Sequence, residues 1–80
     1  MLSDVVLNHK FHLLEKGKSI EDLTIEEAVE AFRKTVDLRN QMGGVFYFSI
    51  LNEECHMLYD VCRHKDTDED IMQELLKDLA

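Results

Sequence analysis

An all-α domain, a compact small bundle of about four helices with the third helix central, is the fold this sequence predicts, and three observations predict it. Between Val45 and Lys65, the residues Phe48, Leu51, Cys55, Leu58 and Cys62 recur at alternating spacings of three and four, which is one stripe of an α-helix. A second apolar row, Phe46, Ile50, Met57 and Val61, lies roughly 130° round the same cylinder, so more than half of the circumference is apolar. Such a helix is central or faces a partner. Capping signals and glycines divide the rest of the chain into further amphipathic segments, with no proline, repeat or low-complexity tract. The 80 residues form a single helical domain, 1–80.

The first helix is expected over 4–16, capped by Ser3 or Asp4 and ended by Gly17, with Leu7, Phe11 and Leu14 as its stripe and Leu2, Val6 and Leu13 widening it. Lys18 to Leu23 reads as a short polar connector. Thr24 and Glu27 form a capping box with Leu23 set to staple onto Ala28, so the second helix is expected over 25–42, before Gly43 and Gly44. Its main stripe is Ile25, Val29, Phe32 and Val36, with Ala31, Leu38 and Met42 in a weaker row. Arg39 falls where the main stripe would continue, so the last turn is expected to leave the core, its cation near the negative end of the helix dipole. The third helix is expected over 45–65. Val45 to Leu51 is rich enough in β-branched and aromatic residues for a strand, but the stripe continues from Phe48 to Cys62 and there is no second strand to pair with. Thr67, with Asp70 at the third helical position, opens a fourth helix over 68–79 that buries Ile71, Met72, Leu75, Leu76 and Leu79.

With 17 acidic against 9 basic side chains the formal net charge is -8, which repels phosphate backbones and anionic lipid surfaces, so direct nucleic-acid binding is not expected. The excess of acid lies mostly in the second half. No stretch approaches the roughly 20 apolar residues of a membrane span, and no secretory signal pattern is present, so the expected location is cytoplasmic. Cys55 and Cys62 are seven residues apart on one helical face, about 10.5 Å along the axis and beyond the reach of a disulfide. They are expected as reduced core thiols.

Two lone charges stand out on apolar faces: Glu54 in the third helix and Lys10 in the first. Each is flanked by apolar neighbours, so the two are expected to meet as a buried ion pair. A buried carboxylate can also contact a ligand or carry a proton. Glu53-x-x-His56 has the spacing of helical di-iron sites, but those need two such pairs and two further carboxylates, and this is the one such pair in the chain. His9-x-x-His12 could hold a surface ion at most. Cys55 and His56 point about 100° apart on a helix and cannot work as a nucleophile and base. Gly43 and Gly44 lack the spacing of a phosphate loop, and Ser49 lacks the preceding aspartate of a phosphopantetheine attachment site. No metal, cofactor or catalytic residue is therefore expected.

Phe46, Tyr47 and Phe48 hold half of the six aromatics and span about 200° of a helix, more than one side of a small bundle covers. The function these features suggest is a non-enzymatic protein-protein interaction module, a small acidic regulator, adaptor or inhibitor. Its interface would include Phe46, Ile50, Met57 and Val61 with the acidic patch Asp68, Glu69 and Asp70, and its partner would be another protein or a second copy in a homodimer. Two alternatives belong to other classes. One is a helical ligand- or metal-handling protein built around Glu54 and nearby histidines, the other an acidic DNA-mimic inhibitor.

Overall fold

The computed structural model describes residues 2–14, 18–41 and 44–79. Among these are four α-helices and no strand: α1 (Asp4–Asn8), α2 (Ile25–Gln41), α3 (Val45–His64) and α4 (Glu69–Leu79), with one 3-10 turn at Ile20–Asp22. α3 is central and packs against both α2 and α4, which also touch each other. It runs unbroken through Asn52, as its stripe requires, and buries Leu51, Cys55, Leu58, Tyr59, Val61 and Cys62.

The largest departure from the expected fold is at the first helix. It stops at Asn8, where His9 turns to extended backbone and closes the helix with its N–H on the Val6 carbonyl. A helix of 13 residues is marginal by itself, and Asn and His are weak helix formers. The residues after it are held instead by α3, through contacts of His12 with Glu54. Leu2, Leu7, Phe11 and Leu14 still pack against the core, while Leu13 is exposed. The stop expected at Gly17 lies outside the described residues, as do Met42 and Gly43 at the expected end of the second helix.

The connector is not merely polar. Ser19 caps the 3-10 turn by accepting from the Glu21 N–H, and Ile20 and Leu23, three apart and so on one face of such a turn, both enter the core. The Lys65 ammonium then donates to the Glu21 carbonyl, tying this turn to the end of α3. The capping box forms as expected: Thr24 N–H donates to Glu27 Oε1 and Glu27 N–H to Thr24 Oγ1, both at 3.1 Å. Lys18 also pairs with the Glu27 carboxylate, and together these contacts hold that carboxyl below its ordinary range.

α2 buries Ala28, Ala31, Phe32, Thr35, Val36 and Arg39, a face shifted away from the expected row, with Ile25 and Val29 at its edge. Thr35 is accommodated because its hydroxyl donates to the Ala31 carbonyl at 2.7 Å. Arg39 does not leave the core. It is 5% exposed and continues the stripe.

α3 ends in a Schellman motif. Thr67 N–H bonds the Cys62 carbonyl and Asp66 N–H the Arg63 carbonyl, with Asp66 at φ 57 in the left-handed position. Thr67 is therefore not the cap of the last helix: its hydroxyl turns back to Cys62 O at 2.7 Å, and Asp68 caps α4 through the Asp70 N–H. α4 buries Met72 and Leu75 and half-buries Ile71 and Leu79, but Leu76 is 46% exposed.

Candidate functional site

The expected aromatic surface is present, in a different form. α3 begins after Gly44, whose backbone is extended and offers no side-chain cap, and its first helical bond runs from Phe48 N–H to the Gly44 carbonyl. Val45, Phe46, Tyr47 and Phe48 are 84%, 73%, 52% and 43% exposed. Four consecutive helical positions spread over roughly 300°, so this is a helix end standing clear of its neighbours and not one open face. Phe46 and Tyr47 meet edge to face, with centroids 6.0 Å apart. Between Arg39 and Glu53 no residue is charged, in a chain where charge is otherwise frequent.

Arg39 supports this end from beneath. Its Nε donates to Asn40 Oδ1, Nη1 to Asn52 Oδ1 and Nη2 to the Asp78 carbonyl, while its guanidinium lies 5.5 Å from the centre of the Phe48 ring. One buried cation thereby joins α2, α3 and the last turn of α4. The carbonyls of a helix C-terminus carry partial negative charge, which suits the guanidinium there.

Of the interface residues expected from sequence, Phe46 is exposed, Ile50 and Met57 are half-buried, and Val61 is fully buried. Met57 packs against the core. Val61 belongs to the core and cannot reach a partner, because its row sinks between the other helices as α3 enters the bundle. Asp68, Glu69 and Asp70 are exposed, with Asp68 acting as a cap and Glu69 accepting from the Gln73 amide. They follow the far end of α3, whose 20 residues span about 30 Å. The aromatic end and the acidic patch are therefore separate surfaces.

Glu54 is buried as expected, at 1% exposure, but its carboxylate meets histidine and not Lys10, which is exposed. His12 supplies both a backbone N–H to Oε1 at 2.9 Å and a ring Nδ1 at 2.7 Å from Oε2. The carboxylate thus meets the backbone and the ring of the same residue. His9 Nε2 lies 3.7 Å from the same Oε2, enclosed and without a hydrogen-bond partner. Among the described residues, no three His, Cys, Asp or Glu side chains are gathered so as to hold a metal ion. The chemistry this carboxylate performs is attachment: it fastens the segment after α1 onto α3.

No protein family, curated protein or solved structure matches this chain. Its function is read from its own surfaces.

Cys55 and Cys62 are free, buried thiols. Burial pushes each up to about 11, with Arg39 drawing Cys55 back and Glu54 adding to the rise. Thiols held neutral in this way are poor nucleophiles. No helix among the described residues is long and apolar enough to cross a membrane. Sequence reasoning missed Arg39 and His12 as supports and missed Val45 at the tip; the uncharged run from Asn40 to Asn52 was the available signal for the last.

Proposed function

We propose that this chain is a non-enzymatic protein-protein interaction module, a small acidic regulator, adaptor or inhibitor whose docking element is the aromatic end of α3. The observation that carries this reading is the exposure of Val45, Phe46, Tyr47 and Phe48 together on one projecting helix end. Large apolar side chains clustered in water are unfavourable unless something covers them, and aromatic side chains are the usual anchors of protein interfaces. The uncharged flanks and the rigid support from Arg39 suit such a role, since an anchor held in place loses little freedom on binding. Two unpaired buried cysteines fit a reducing, cytoplasmic setting. The net charge of -8 speaks against direct binding to nucleic acid.

Native mass spectrometry of the protein isolated gently from its own cells tests the reading, with a Phe46→Ser/Tyr47→Ser variant alongside. The wild type is expected to carry a stoichiometric protein partner, either another chain or a second copy, and the variant to run free with unchanged helicity. Both running free of any protein would reject the proposal.

A further inference from the structure

Among the described residues, Glu54 and Arg39 are the charged side chains that the fold buries. Arg39 directs its donors to Asn40, Asn52 and the Asp78 carbonyl, away from Glu54. The Glu54 carboxylate faces two imidazoles instead. His12 Nδ1 lies 2.7 Å from Oε2 and 3.1 Å from Oε1, and His9 Nε2 lies 3.7 Å from Oε2, enclosed and without a hydrogen-bond partner. Phe11 holds the His9 ring edge to face, with centroids 4.7 Å apart. The His12 side chain is 48% exposed, so a proton can pass between water and this group while the chain stays folded. We infer that residues 9–14 form a proton-controlled latch, which closes on α3 with uptake of a proton held among His9, His12 and Glu54 and loosens as the pH rises past neutrality.

Charge sets the direction. With the carboxylate ionised and both rings neutral, the closed group buries a negative charge without a counter-ion, which is costly away from water. One added proton cancels that charge, whichever of the three side chains carries it, and on a ring it turns a neutral contact into an ion pair. When the segment is open the same three groups stand in water, where the gain is absent and the proton leaves. Histidine changes charge between pH 5 and 8, which puts the exchange near neutrality. The closed form then binds more protons than the open one, so closure strengthens as the pH falls from about 8 to about 6.5. Below that the open segment protonates both of its own imidazoles, and the advantage stops growing.

The other ionisable groups around the site leave this balance alone. On α3, the Cys55 thiol stays protonated to about 11, the Tyr59 hydroxyl accepts from Arg63 at 2.6 Å, and Glu53 and His56 are exposed. Lys10 within the segment, Asp4 of α1 and Glu21 and Asp22 of the 3-10 turn are exposed as well. Arg39 is the charged group that α2 buries, and a guanidinium does not titrate in this range. The side chains buried from α4 are Met72 and Leu75.

NMR of the wild-type protein from pH 6 to 9 tests the latch, following the ring nitrogens of the four histidines, the Glu54 carboxyl carbon and the His12 amide. The group of His9, His12 and Glu54 should keep a proton above the pH at which the exposed His56 and His64 have lost theirs. As that proton leaves, the His12 amide, whose N–H is bonded to Oε1 at 2.9 Å, should move towards its random-coil position. Rings of His9 and His12 that titrate together with His56 and His64, with Glu54 ionised throughout, would overturn the inference. So would a His12 amide that stays in place while the group deprotonates, since the site would then titrate without opening. Urea denaturation adds an energetic reading: the wild-type folding constant should rise about threefold from pH 8 to pH 6.5 relative to Glu54→Gln, against a ceiling of about tenfold per pH unit for one proton. An equal change in both proteins refutes the latch, and if Glu54→Gln does not fold the wild-type resonances decide alone.

Discussion

Glu54 is the residue on which the first part of the chain depends. Its carboxylate takes a backbone N–H and a ring nitrogen from His12, so Glu54→Leu strips both of their acceptor and should cost about 2–3 kcal/mol. In urea denaturation, a double-mutant cycle of His12→Ala with Glu54→Leu is expected to show coupling above about 1 kcal/mol, whereas Lys10→Met with Glu54→Leu should be additive within about 0.5 kcal/mol. Equal coupling in both cycles would contradict the observed contacts. Arg39 poses a related question, because its three acceptors come from three directions and a lysine ammonium cannot span them. Arg39→Lys should lower stability by about 2 kcal/mol in the same assay, with Phe48 losing its stacked cation. An effect below about 0.5 kcal/mol would mean that the guanidinium is not held as described.

At the scale of elements, what was legible in the sequence was periodic or capped. The α3 stripe, the Thr24 and Glu27 box and the burial of Glu54 all follow from neighbours within one or two helical turns. The length of the first helix does not. Leu7, Phe11 and Leu14 keep a helical spacing, yet the contact that takes the chain out of helix comes from Glu54, 42 positions beyond His12. Arg39 was misplaced for the same reason: a charge on an apolar stripe reads as solvated until its acceptors on other helices are known. The capping error at the start of α4 is local, since Thr67 and Asp68 both suit a cap and the Schellman turn chooses between them. That turn gives a further test. Asp66 occupies a left-handed conformation which glycine adopts without cost, so Asp66→Gly should stabilise the protein by about 1 kcal/mol, read as a higher thermal midpoint. A lower midpoint would mean that the Asp66 side chain contributes more than its backbone strain.

For the molecule as a whole, alkaline pH should be the weak side. Cys55 and Cys62 stay protonated to about 11 when folded, against an ordinary value of 9.0. The unfolded chain therefore releases these protons first, and stability must fall as pH rises from about 9 to about 11. Denaturation midpoints across that window are expected to decline, and the decline should be shallower in a Cys55→Ala/Cys62→Ala variant whatever its starting stability. An identical slope in the variant would show that other groups set the alkaline limit. The same burial makes both thiols slow to react with alkylating reagents until the protein unfolds. Across the molecule, the length of α3 keeps the aromatic and acidic surfaces apart, so a partner held at one leaves the other in water.

The fastening of His12 to Glu54 also bears on how the protein opens. Residues 9–14 are attached by side-chain packing and by the bonds of His12, backbone N–H and ring, to the Glu54 carboxylate, with no helix of their own to melt. Their detachment is a local event that can leave α2, α3 and α4 in place, so their amides should exchange with solvent well before those of α3 and a protease should cut there first. Each such opening would bring water to the Glu54 carboxylate while the three longer helices remain folded, giving this small domain a partly open form more accessible than global unfolding.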